Sequence, residues 1–287
     1  MSTSSVSHRI GSVVWSAVLA FLILSFGQTA WIALLVANLK TGPAIPWAVA
    51  VMALVLWLMW QYLGGKGWPQ RTSETRRRHL RANPVSGQVW TWAMLAGVLS
   101  IVALTGYWIV MTQLVKMPGN LLLPDLSRLP LLTAVLVVGM ASLVSPITEE
   151  SGFRGYCQVI LEGEFRGVVA VLISSVLFAL AHLSQGFFWP KLLVYFLVGL
   201  VFGAMAYLTD SILPGIAVHI IADVTFFTLV WPYDTTRQLV WKGGADLWFW
   251  LHTLQAILFT ALAVIAFKRL ASLRNHVRAA EGRPLSC

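Results

Sequence analysis

Charge is what this chain has least of. Asp, Glu, Lys and Arg together make up 11% of its 287 residues, against about 25% in a soluble domain. That scarcity excludes a water-facing surface over most of the chain. With 58% hydrophobic residues and a mean hydropathy of +0.77, the solvent it suits is lipid. Acidic residues are the scarcer sign, 11 against 20 Lys and Arg, for a formal net charge of +9. The basic excess lies in short connections and in the tail, where it reads as topology and contact with anionic lipid. No basic run is interleaved with aromatics on a soluble fold, so nucleic acid is not an expected partner. Cysteine is nearly missing as well. Cys157 and Cys287 cannot make a disulfide framework. Cys287 stands last rather than four from the end, so the chain is not expected to be prenylated itself. There is no internal repeat, no low-complexity stretch, and no inverted repeat of the kind secondary transporters carry.

Long apolar runs are what is present. A span needs about 20 apolar residues at 1.5 Å rise. Eight segments qualify: Gly11–Leu39, Ala44–Leu63, Val89–Leu114, Leu129–Leu161, Gly167–Leu183, Lys191–Leu208, Ile212–Trp231 and Leu247–Phe267. The expected fold is all-α, a polytopic bundle of about eight transmembrane helices with membrane lipid as its partner. The first run resembles a signal peptide at Gln28-Thr29-Ala30, but apolar character continues through Leu35, too long for a typical h-region. It is read as a span. Lys and Arg set the orientation. With an even number of spans, the side holding both termini and the basic loop 64–87 carries 14 basic residues and the other carries 6. Both termini are therefore expected in the cytoplasm, with the tail from Phe267 to Arg283 lying on the cytoplasmic leaflet.

Ionisable groups inside spans are costly, roughly 2.5–3.5 kcal/mol each on insertion scales, and they mark function. Six stand out: Glu149, Glu150 and Arg154 in the fourth span, His182 in the fifth, and His219 and Asp223 in the seventh. Glu150 and Arg154 are four apart and share a helical face, as do His219 and Asp223. Phe178 is four before His182, so its ring can pack beside the imidazole. Glu149 is rotated about 100° from Glu150, so the two carboxylates should point at different partners. Counted from the basic side, Glu149 lies roughly 18 Å deep, His182 roughly 22 Å, and His219 and Asp223 roughly 10 and 16 Å. The groups can meet in one layer. Pro146 frees a carbonyl and tends to kink the helix, and Gly152 removes bulk, so both would help open a polar cavity around Glu149.

Three kinds of chemistry fit such a set. In a hydrolase, Glu149 beside a neutral His182 deprotonates a water, and His219 donates to the developing oxyanion. In a metal site, Glu, His and Asp are plausible zinc ligands, but there is no HExxH and no pair of histidines four apart, so no metal or other cofactor is expected. In a structural or transport role, buried Glu–Arg pairs brace helices and Asp–His chains relay protons. Bracing suffices for Glu150 and Arg154, but does not account for histidines on two further spans.

At these residues the chain resembles the CPBP family, which includes type II CAAX prenyl endopeptidases and bacteriocin-immunity relatives. Glu149-Glu150-Ser151-Gly152-Phe153-Arg154 is similar to EExxxR, Phe178 to His182 to FxxxH, and His219 to Asp223 to HxxxN/D. The resemblance covers roughly 130–230. It implies a CAAX-protease-like bundle and a glutamate-dependent intramembrane protease of a bacterial inner membrane, without an essential metal. By that resemblance Glu149 and His182 activate water, His219 and the residue at Asp223 form the oxyanion site, and Glu150 pairs with Arg154. Residues 129–232 would be the catalytic core, 1–128 three N-terminal spans, and 233–287 the last span and basic tail. The implied partner is a membrane-associated protein or peptide substrate. One departure stands out. Family peptidases commonly have Asn where this chain has Asp223, and an ionised Asp repels an oxyanion. Either Asp223 is protonated in its apolar setting, or it accepts from His219 and keeps that ring oriented as a donor, the reading preferred here. The departure weakens a CAAX substrate. The alternatives are an immunity factor or scaffold that keeps the fold without cutting, and then a transporter.

Overall fold

The structure, a computed structural model, describes residues 3–116, 129–232 and 237–280. Arg128, Arg283 and Cys287 lie outside the described residues. Among these residues every regular element is helical: α1 (Thr3–Thr41), α2 (Trp47–Leu63), α3 (Ser73–Leu80), α4 (Gly87–Leu114), α5 (Leu131–Glu149), α6 (Gln158–Glu164), α7 (Gly167–Ala181), α8 (Trp189–Thr209), α9 (Leu213–Thr225), α10 (Val240–Gly243) and α11 (Leu247–Ala280). A π-helical stretch, Glu150–Cys157, joins α5 to α6 without a break, and another, Phe226–Val230, continues α9.

Seven of the helical runs are long and apolar enough to cross a membrane. The second expected span is the shorter α2, whose 17 residues reach about 26 Å, at the low edge of a spanning length. Large apolar side chains face outward along the bundle, among them Trp15, Leu22, Trp57, Ile257 and Ile265, each more than half exposed. Such a surface is stable only against lipid. The chain is an integral, multi-pass membrane protein.

Close approach comes from small residues, as it does where lipid removes the hydrophobic drive between helices. A Cβ on Gly106 would stand 2.9 Å from the His252 carbonyl, so α11 lies tight along α4. A Cβ on Gly199 would stand 2.9 Å from Ser175, which seats α7 on α8. One side chain closes the α1–α2 connection: Asn38 donates to the Gly42 and Ile45 carbonyls and accepts from the Ala48 amide.

The loop 64–87 is where the fold departs from expectation. It contains the unforeseen α3 and packs as a cap under the basic end of the bundle. Arg76 is buried, stacked on Tyr62, and its guanidinium donates to the Tyr62, Lys66, Gly67 and Pro69 carbonyls. Arg81 is buried too. It grips both Glu162 oxygens, at 3.0 and 2.7 Å, and Asp210 at 2.9 Å, while its carbonyl accepts from the Ile212 amide. Burial opposes the Arg81 charge, but Glu162 and Asp210 outweigh it and raise the pKa above the ordinary value. Two of the basic residues read as free topology charges are thus internal ties.

Candidate active site

Glu149 closes α5 and Glu150 opens the π-helical stretch that follows Pro146 by one turn. Proline removes the amide donor that would bond the preceding turn, and π turns insert an extra residue per turn at such points, often at functional sites. The consequence is visible in the carboxylates. Contrary to the expected 100° divergence, both face one ring. His219 Nδ1 lies 3.0 Å from Glu150 Oε1, and Nε2 lies 3.8 Å from Glu149 Oε2. Asp223, one turn along α9, places Oδ1 3.6 Å from the same Nε2. The ring is stacked on Phe202 at 4.5 Å and 17°, which fixes its plane.

A carboxylate only accepts, so Nδ1 carries the proton toward Glu150. The partner that orients His219 is therefore Glu150, not Asp223, whose 3.6 Å exceeds hydrogen-bond length. The expectation for Asp223 is corrected on that point. Ser145, one turn before Glu149, donates to Glu149 Oε1 at 2.7 Å. Glu150 also meets Arg154 Nη1 at 3.6 Å, and Arg154 is fully enclosed, its guanidinium 4.0 Å above the Phe178 ring.

His182 opens a 3₁₀ turn at the end of α7. Its Nδ1 donates to the Phe178 carbonyl at 2.9 Å, which leaves Nε2 as the acceptor. Tyr195 stacks on the ring at 3.8 Å and Phe178 meets it edge-on at 4.8 Å. Glu149 and His219 are both within electrostatic range of this imidazole. Gly152 has a different role from the one expected. Its missing Cβ would stand 3.0 Å from the Ala20 carbonyl, so it admits α1 rather than opening a cavity.

Ser145 and Glu149 are four apart, and that spacing was available in the sequence. Tyr195 and Phe202 come from α8, which carries no motif, and nothing in the sequence marks them. Among the described residues, no group of three or more His, Cys, Asp or Glu side chains is arranged to hold a metal ion.

Residues 131–225 match the family model described as type II CAAX prenyl endopeptidase Rce1-like. The match spans α5 to α9 and so covers the whole polar set. No curated protein and no solved structure gives a significant match.

Proposed function

We propose that this chain, whose residues 131–225 fall in the Rce1-like family of endopeptidases, hydrolyses a peptide bond of a membrane-associated protein or peptide inside the bilayer. One observation carries the reading: three carboxyl groups, Glu149, Glu150 and Asp223, gather at 3.8, 3.0 and 3.6 Å around the single buried imidazole of His219. Bracing a bundle needs no such convergence, whereas moving protons during acyl transfer does.

Glu149 is the general base. It takes a proton from a water that also hydrogen-bonds the free Nε2 of His182, and the resulting hydroxide adds to the scissile carbonyl. His219 donates from Nε2 to the oxyanion. Because Nδ1 already donates to Glu150, the working form of that ring is the imidazolium, held by the Glu150 carboxylate. Glu149 then returns its proton to the leaving amine. Asp223 borders the oxyanion position, its Oδ1 3.6 Å from the same His219 Nε2. Glu150 is paired with Arg154 from the next turn. No step of this scheme uses a metal, so a chelator is expected to leave the rate unchanged. The basic end faces the cytoplasm, and both termini lie on that side.

The test is a comparison of membrane proteomes and of peptide cleavage by the purified protein, wild type against Glu149→Gln. The rate should fall about 10²–10⁴-fold, uncut precursors should accumulate, and the variant should reach the membrane in normal amount. Full cleavage by Glu149→Gln would overturn the assignment. A non-cutting relative that keeps the fold is the second reading, favoured by Asp223 standing where Asn is common. It requires the cellular phenotype to survive both Glu149→Gln and His182→Ala.

A further inference from the structure

The helix that carries the carboxylates also carries polar residues at every fourth position toward the basic end: Glu150, Arg154, Gln158 and Glu162. Four-residue spacing keeps them on one side of the helix. The first three are fully buried at 0%, 1% and 0% exposure, and only Glu162, a fifth exposed, reaches the surface. This file belongs to none of the steps assigned above beyond its first member.

Its hydrogen bonding is incomplete in a particular way. Gln158 Nε2 donates to Glu162 Oε1 at 2.9 Å and to the Gly203 carbonyl at 3.0 Å. Gln158 Oε1, both terminal nitrogens of Arg154, Glu150 Oε2 and the Ser151 hydroxyl are all enclosed and have no hydrogen-bond partner among the described residues. Apart from the Gln158–Glu162 bond and the long 3.6 Å Glu150–Arg154 ion pair, donors and acceptors thus alternate along the file without reaching each other. Buried polar atoms are almost always satisfied, by protein or by ordered water, and buried water settles where two to four polar partners converge. The neighbouring helices approach these orphaned atoms through glycines, not through side chains that could satisfy them. Gly203 and Gly215 stand where a Cβ would approach Gln158 Oε1 to 3.1 Å and Glu150 Oε2 to 3.3 Å.

We propose that Glu150, Ser151, Arg154 and Gln158 hold a single file of bound waters that runs from the Glu162–Arg81 surface of the basic end to the His219 site. The proposal rests on the hydrolytic reading for its purpose. Each cleavage adds one water across the C–N bond, and that water must cross an apolar bundle to reach Glu149. The file supplies it from the aqueous side opposite to the His182 turn. Arg154 thereby gains a role besides its pairing with Glu150: its two terminal nitrogens, neither of them hydrogen-bonded, hold the middle of the file.

Radiolytic footprinting of the full-length protein in lipid nanodiscs reads bound water directly, because radicals form at the waters and mark adjacent side chains. Phe178 and Phe202, both buried and both facing Arg154, should be labelled. Met52, equally buried but in a purely apolar cluster, should not be, although methionine is the more readily oxidised residue. Gln158→Leu keeps the side-chain size and removes the polar stepping stone. It should cut labelling of both rings and lower kcat about tenfold at unchanged KM. Wild-type protein that cleaves peptide while both rings stay as unlabelled as Met52 overturns the water file and leaves the protease standing. Labelled rings in wild-type protein that cleaves nothing overturn the protease and leave the hydrated file. A Gln158→Leu protein with wild-type labelling removes Gln158 from the file and overturns the route as drawn.

Discussion

His219 is held from three directions, and each hold has a different consequence when removed. Phe202 fixes the plane of the ring, Glu150 fixes which nitrogen faces inward, and Asp223 stands beside the nitrogen that is left. Replacing Glu150 by Gln keeps an oxygen that Nδ1 can reach but removes the charge that holds an imidazolium. We expect kcat to fall on the order of a hundredfold with KM little changed, since the substrate is untouched. Glu150→Ala should be worse and should also destabilise the fold, because it leaves Arg154 enclosed without its carboxylate. Asp223→Asn should behave in the opposite way. The Asp223 Oδ2 atom has no hydrogen-bond partner among the described residues, and an amide there offers a donor to the oxyanion without a charge to neutralise. Activity within about threefold of wild type, or above it, is the expected result, measured as peptide cleavage across pH 6 to 8. A loss as large as that of Glu149→Gln would make Asp223 a proton carrier rather than a bystander.

At the level of elements, pairs within one helix were legible and pairs between helices were not. Glu150 with Arg154, Phe178 with His182 and His219 with Asp223 follow from four-residue spacing, which needs no tertiary knowledge. The meeting of Glu149 and Glu150 on one ring depends on the wider turn that begins at Glu150 and on the rotation of α9 against it, which no local pattern encodes. The same stretch places Gly155 against the carbonyl of His79, where a Cβ would stand at 2.9 Å, and lets Tyr156 donate to the Leu63 carbonyl. Gly155→Ala should push α3 off the bundle and lower stability in detergent by about 1–3 kcal/mol, read as a drop in melting temperature. The α3 contact also carries a pH signature. His79 lies edge-on to Tyr156, and burial first, then the neighbouring Arg78, hold its pKa below the ordinary 6.5. The folded state therefore favours the neutral ring. Its contribution is complete above about pH 6.5 and is lost as pH falls below that toward the folded value. His79→Gln should flatten the decline in melting temperature between pH 7 and 5, and an unchanged slope would remove His79 as its cause.

Across the whole molecule, the arginines of one segment divide into an exposed set and a buried set, which the sequence merges into one count. Arg71, Arg77 and Arg78 are exposed, Arg77 in a surface pair with Glu74, whereas Arg76, Arg81 and Arg154 are buried. Setting those three aside, and the buried Lys191 on the other side, leaves 11 basic residues on the basic side against 5 on the other, so the expected orientation does not depend on the buried charges. Arg81 instead ties three connections into one end of the bundle: the turn after α3, Glu162 at the end of α6, and Asp210 between α8 and α9. The helices it ties are those that bring Glu150 and His219 together, so the cap under the bundle sets the spacing of the polar site above it. Arg81→Ala leaves the Glu162 carboxylate, four-fifths enclosed, without its bidentate partner. It should cost about 3 kcal/mol and lower the cleavage rate, while cysteine-accessibility mapping from either side of the membrane shows wild-type orientation. Alanine at Arg71, Arg77 and Arg78 together should do the reverse, with unchanged melting temperature and a mixed orientation in the membrane. If Arg81→Ala instead inverted the protein without destabilising it, its contacts to Glu162 and Asp210 would be incidental, and its charge would act on topology as its sequence position alone suggests.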